Sequence, residues 1–332
     1  MNKHIYLLII FLAGLLTSCG SAVSVLSFDQ LHPAEISIPS EIRHVGVVNN
    51  MVPRANEPSN DLILGIFQGE GTACSEALAA NLADSKFFDQ IIICDSALQS
   101  KVADYSVDPK LSADKVNQLT TDLGVDLLIS LEALWIETSK KQILYPGWEA
   151  PIPALQATVK SLVRVYLPGR LQPLYSITPT DSVYCDLAGA ISEKNIVEEA
   201  TKMVANKISN YLVPTWKPID RVYYSGGSVE MRDAVICIQE GDWQAAQDCW
   251  KLLYDRLRKG AMKARAAYNI ALSFEMLGNV EEAMEWLKKS GEYVTSKSQE
   301  EQLVNLYSQE LRSRMQQMIS LKSQMARFNE NL

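Results

Sequence analysis

Apolar positions follow two periods along this chain, and the change between them divides it. Ile42–Asn49 carries the β-branched Val45, Val47 and Val48 and predicts a strand. Residues 71–86 place Ala73, Ala77, Leu78 and Leu82 at helical spacing, and the wholly apolar Ile91–Ile93 then reads as an inner strand. Ser112 can cap a helix with Val116, Leu119 and Leu123 on its apolar face, and Gly124 supplies the left-handed residue that closes it. Val125–Glu137 alternates, with Leu127, Ile129, Leu131, Ala133 and Trp135 on one face and Leu128, Ser130 and Glu132 on the other. In the next strand, Ala157–Leu167, Val159, Val163 and Val165 oppose Lys160, Arg164 and Tyr166. Glu132 can pair across the two strands with Lys160 or Arg164, a contact worth a few tenths of a kcal/mol. Leu174–Cys185 predicts a third strand. The stripe Val197, Ala200, Val204, Ile208 and Tyr211 makes residues 189–212 a helix. The order β-α-β-α-β-β-β-α implies an α+β fold over residues 33–218, a mixed sheet with packed helices.

Val213–Pro218 and Gly226-Gly227 read as a boundary. Beyond it the period is helical and repeats after 37 residues, Gly241 to Gly278 and Ala246 to Ala283. Ala267, Tyr268, Ala271, Phe274, Gly278, Ala283 and Leu287 match most of the tetratricopeptide motif, and Ala234, Gly241, Ala246 and Trp250 match it in part. Residues 228–330 therefore resemble an all-α tetratricopeptide-like domain. Residues 298–328 read as one amphipathic helix, apolar at Leu303, Leu306, Leu311, Met315, Met318, Leu321, Met325 and Phe328, which would cap the stack. The resemblance implies a concave, peptide-holding groove. Met231, Arg232, Val235 and Gln239 would line it from the first copy, and Arg265, Tyr268, Asn269, Leu272, Glu275 and Met276 from the second. The alternative is that the terminal helix or the first domain fills it.

At the N-terminus, Lys3 precedes the apolar run Ile5–Leu16 and small residues, the pattern of a secretory signal over residues 1–18. The run is too short to span a bilayer, which needs about 20 residues. Leu16-Thr17-Ser18-Cys19 resembles the lipobox of bacterial lipoproteins, which implies that Cys19 is acylated and becomes the first mature residue. Residues 19–32 would then be a lipidated tether. Together, Cys19, the Pro33–Val48 stretch, the mixed sheet and the repeat tail resemble an uncharacterised family of Bacteroidota lipoproteins. The strand order is also similar to the α/β domains of the curli-secretion lipoprotein and of the TolB N-terminal domain. These likenesses imply a membrane anchor, protein partners in the envelope, and assembly or scaffolding work. In such lipoproteins an acidic run after the cysteine goes with surface export. Gly20–Phe28 holds no acid, which favours the periplasmic face of the outer membrane.

A net charge of -8 argues against nucleic-acid partners and against a polybasic membrane patch. Besides Cys19, Cys74, Cys94, Cys185, Cys237 and Cys249 occur without a CxxC pair. An antiparallel helix–strand pair would bring Cys74 and Cys94 to the same level, within reach of a disulfide; the alternative is that they are buried thiols. Past the leader, only His32 and His44 remain, beside strands and away from a nucleophile. No spacing suggests a metal site or a cofactor. Gly65, Gly69 and Gly71 before a helix lack the phosphate-binding pattern, and Glu70 would repel a phosphate. The expectation is a non-catalytic scaffold, alone or as a homo-oligomer, with Trp148 as a further loop contact. The basic run Arg256, Arg258, Lys259, Lys263 and Arg265 reads as a solvated turn. Two rivals stand beside it. A hydrolase would need two of Asp61, Glu70 and Glu132 to converge within roughly 6–9 Å. A glycan-binding protein would need Trp148 and Trp216 as platforms.

Overall fold

Val45 and Val47 are fully buried on one face of β2 (His44–Asn49) and Val48 on the other. This is the mark of a strand covered on both sides. The computed structural model describes residues 22–53, 58–61, 64–94, 97–99, 110–144, 149–186 and 192–329. The chain divides into two units, residues 32–215 with 320–332, and residues 1–31 with 216–319. Among the described residues no helix is long and apolar enough to cross a membrane.

In the sheet unit, β2 runs parallel to β4 (Gln90–Ile93) and to β5 (Leu127–Ile143). The crossover helices are α1 (Gly71–Asp84) and α2 (Ala113–Leu123). β5 pairs antiparallel with β6 (Ile152–Tyr166), which carries β7 (Tyr175–Ile177) at one end and β8 (Thr180–Asp186) at the other. The expected third strand is thus two strands broken at Pro179, which has no N–H to give a ladder. β3 (Gly65–Gln68), pairing with β5, is too short to leave a periodic signal. Leu78 and Leu82 of α1 and Ala200, Val204 and Ile208 of α3 (Glu193–Leu212) close the main core against the sheet. Each buried leucine, valine or isoleucine among them contributes about 1.5–3 kcal/mol. Leu111, Val116, Leu119, Leu128 and Tyr166 form a smaller core around α2. Ser112 and Gly124 (φ 65°) bound α2 as expected.

The alternation read for β5 fails halfway along. Leu131 pairs with Val163 but Ala133 with Leu162, so Glu132 is the extra residue of a β-bulge. Beyond it the faces exchange: Leu134 and Ile136 are fully buried, while Trp135 is 36% exposed. The C-terminal part of the last helix also belongs to this unit. There the Gln324 carboxamide accepts from Ala34 N–H (2.9 Å) and donates to Ala34 O (3.0 Å). Arg327, fully buried, donates to the carbonyls of Phe87 (2.9 Å) and Pro39 (3.0 Å) and lies 3.9 Å from the Phe87 ring centroid.

The helical unit corrects two boundaries. Residues 19–32 are not a tether throughout, because Val23–His32 forms β1. The 213–218 linker runs into β9 (Thr215–Tyr224), and β1 and β9 make a two-stranded sheet. Ser225 N–H donates to Ala22 O, and Ser27 Oγ to Asp220 Oδ1 (2.5 Å). The partners lie some two hundred residues apart, so no local pattern announces them. Then come α4 (Val229–Gln239), α5 (Trp243–Arg256), α6 (Ala261–Met276), α7 (Val280–Gly291) and α8 (Gln299–Asn329), whose residues 299–319 belong here. Gly241 (φ 77°) and Gly278 (φ 85°) take left-handed turns that a side chain would strain. Ala234, Ala246, Ala271 and Ala283 are fully buried where helices approach, and Trp250 and Leu287 fill the layers between them.

Candidate functional site

Asn269 on α6 clamps the end of β9: its Oδ1 accepts from Tyr224 N–H (2.9 Å) and its Nδ2 donates to Tyr224 O (2.7 Å). Two turns on, Glu275 accepts from Nε and Nη2 of Arg221 (both 2.9 Å) and from the Tyr307 hydroxyl (2.6 Å). Arg221 also meets Glu310 at 3.0 Å. Burial works against the Arg221 charge, but Glu275 and Glu310 hold its guanidinium above the ordinary value. Burial pushes the Tyr307 phenol up. The cluster is a buried ion pair.

Beside it opens a cleft of about 250 Å³. Phe28, Leu31 and Trp216 come to it from the strands, Met276 from α6, and Arg314 and Met318 from α8. Trp216 is 68% exposed. Arg314 donates to Leu31 O (2.6 Å). Among the described residues no carboxylate lies within salt-bridge distance of it, and burial lowers its pKa. The lining thus sets the half-buried Arg314 among apolar side chains and two carboxylates, Asp29 and Glu275.

The sheet unit has a parallel cluster. The Glu132 carboxylate accepts from Arg164 Nη1 and from the Tyr166 hydroxyl (2.6 Å), which in turn accepts from Leu111 N–H (3.2 Å). Burial pushes the Glu132 carboxyl up, although Tyr166, Arg164 and Ser130 pull it down. Of the two expected partners Arg164 is the one, while Lys160 pairs with Glu137 at 3.2 Å. Glu70 caps α1 by accepting from Thr72 N–H (3.2 Å), and the Asp61 carbonyl accepts from Glu193 N–H (2.9 Å). The Glu132 and Glu70 carboxylates thus sit in two separate local roles, and Asp61 is engaged through its backbone.

The expected groove is not open. Met231, Tyr268, Asn269, Leu272 and Glu275 are buried, Arg265, Met276 and Val235 half-buried, and only Arg232 and Gln239 exposed. The end of β9 and α8 cover these positions. The Tyr268 ring meets Tyr224 (5.4 Å) and Tyr307 (5.2 Å), and Arg265 pairs with Glu300 (2.6 Å). The basic run is also partly engaged, with Lys263 4.0 Å from the Tyr254 ring centroid and Arg256 paired with Glu230. Cys74 and Cys94 are thiols and make no disulfide; burial pushes Cys74 up to about 12. His44 pairs with Asp126 (3.2 Å). Cys19 and Trp148 lie outside the described residues. Arg221, Tyr307 and Arg314 had no sequence signal beyond single polar groups in apolar patterns.

Residues 42–224 match a family described as "Domain of unknown function (DUF8603)", and residues 232–313 match "Domain of unknown function (DUF6340)". The tetratricopeptide likeness therefore rests on the motif alone. No curated protein matches the chain. Similar solved structures include the hypothetical protein CT253 from Chlamydia trachomatis, at 14% identity and TM-score 0.26, covering 50% of this chain and 98% of that one. Another is the rare lipoprotein B from Shewanella oneidensis, at 16% identity and TM-score 0.23, covering 50% of this chain and 90% of that one. Scores this low carry no conclusion about fold or function. The first family match spans more than half of the 332 residues, and the chain belongs to the DUF8603 family.

Proposed function

We propose that this protein is a lipid-anchored cell-envelope protein that binds a protein partner through its helical unit and performs no catalysis. The anchor is Cys19, and the periplasmic face of the outer membrane follows from the acid-free stretch Gly20–Phe28. The observation that carries the binding part is the cleft, where Trp216 stands exposed near the half-buried Arg314. Tryptophan and arginine are the residues that dominate protein interfaces when a partner desolvates them. With the tetratricopeptide-like positions filled, the partner surface moves from the concave side to this cleft. The non-catalytic reading is supported by the engagement of the Glu132 and Glu70 carboxylates in local structure. A glycan partner is the second reading, favoured by the exposed Trp216 ring.

Photocrosslinking in cells tests this. A crosslinking residue at Trp216 or Met318 is expected to trap a discrete product that the same residue at Arg232 does not. A product twice the chain mass would identify a second copy, and one sensitive to glycosidase a glycan. Absence of any product from both cleft positions would contradict the binding role.

A further inference from the structure

We propose that the outer face of α4 is a self-complementary surface that pairs with α4 of a second copy of this chain. Val229, Arg232, Asp233 and Ile236 lie on one stripe of the helix, at spacings of three and four residues. All four are exposed, Val229 by 59% and Ile236 by 55%. The opposite face is already committed. Met231 and Ala234 are fully buried, Cys237 and Ile238 pack on the core that holds Trp250, and Glu230 pairs with Arg256. Among the described residues neither Arg232 nor Asp233 has a partner within salt-bridge distance.

The order of the stripe names its occupant. Val229 lies three residues before Arg232, and Ile236 three residues after Asp233, so the apolar and charged positions read alike in both directions. A two-fold axis between Arg232 and Asp233 lays the second helix antiparallel on the first. Val229 then meets the partner's Ile236, and Arg232 meets the partner's Asp233. Each contact is made twice, once by each copy. A parallel pairing would instead set Arg232 against the partner's Arg232. A foreign protein would have to supply the reversed pattern, whereas a second copy already carries it. The surface is small beside the roughly 1,200–2,000 Å² that stable complexes bury. It serves copies already held close, as chains anchored in one membrane are. In this respect the inference rests on the anchored-envelope reading. The stripe shares no residue with the cleft at Trp216 and Arg314.

The test is the full chain with a photocrosslinking residue at Ile236, irradiated in native envelopes and digested for mass spectrometry. The expected product has twice the chain mass, with its link at Val229. No doubled product, or a link away from α4, would overturn the proposal. The same residue at Arg232 would also give a doubled product, and its link on α4 tells it from the product of the cleft. Arg232→Asp and Asp233→Arg each turn two attractions into two repulsions, and each is expected to lower the yield roughly tenfold. The double variant Arg232→Asp, Asp233→Arg restores opposite charges across the axis and should recover the yield. A double variant as poor as the single ones would overturn the pairing. All three are expected to keep the thermal midpoint of the wild type, because both side chains are exposed. The N-terminal fragment in the same digest reads the other claim separately. An acylated Cys19 without the doubled product would remove the dimer alone, and a doubled product with an intact leader would remove the anchor alone.

Discussion

Each unit buries one glutamate against an arginine and a tyrosine, and the two clusters are assembled in different ways. In the sheet unit, Glu132 lies in β5, and Arg164 and Tyr166 in β6, the adjacent strand. The ladder that pairs Ser130 with Arg164 brings them together without help from any third element. In the helical unit, Glu275, Arg221 and Tyr307 come from α6, β9 and α8. That cluster exists only when three distant elements have packed. Its arginine also serves a second carboxylate, Glu310. A charge cluster built on one ladder can relax locally when a member is lost; one spread over three elements leaves its charges stranded between them.

The largest effect is therefore expected from Arg221→Met. It strands Glu275 and should cost about 3–5 kcal/mol by urea denaturation, with Arg221→Lys recovering only part because an ammonium cannot make the two-pronged contact. A loss below about 1 kcal/mol would erase the contrast. Next is Arg327→Met, which leaves the Phe87 and Pro39 carbonyls without their donor. Roughly 2–4 kcal/mol should be lost. Amide exchange is expected to rise in β2 and β4 while α5 and α6 keep their protection. Equal loss in both units would dissolve the division between them.

Glu132→Gln should cost less, about 1–3 kcal/mol, since Arg164 keeps some contact with water. Its pH dependence has a definite sign. The folded carboxyl is raised above its ordinary 4.5, so the folded state binds the proton more tightly than the unfolded chain does. The stabilisation from Glu132 is then fully present below 4.5 and declines as pH rises through the raised value. Wild type should lose stability relative to Glu132→Gln over that range, and an opposite slope would reverse the assignment. The smallest change is Lys160→Ala. Its pair with Glu137 is exposed, and double-mutant analysis should find no more than about 0.5 kcal/mol.

The same contrast governs what could be read from the sequence. The β2 strand, the α2 caps and the Glu132–Arg164 pair were legible because each depends on neighbours in sequence or on one ladder. The bulge at Glu132 was not, since a single extra residue leaves both halves of β5 alternating while exchanging their faces. β1 and the start of β9 read as a tether and a linker because each strand is recognisable only beside the other. Whether the groove is open or filled is not legible for the same reason: the motif at Tyr268 and Asn269 gives the helix pair, but the sheet end and α8 that cover it come from elsewhere in the chain. Trp216 was legible as an exposed aromatic, whereas Arg314 gained meaning only with Leu31 O beside it.

The most direct test of the anchored role is the mass of the N-terminal fragment from protein extracted with detergent from native envelopes. Cys19 is expected as the first residue, carrying fatty acyl groups. A fragment that begins at Met1 with an unmodified Cys19 would contradict it.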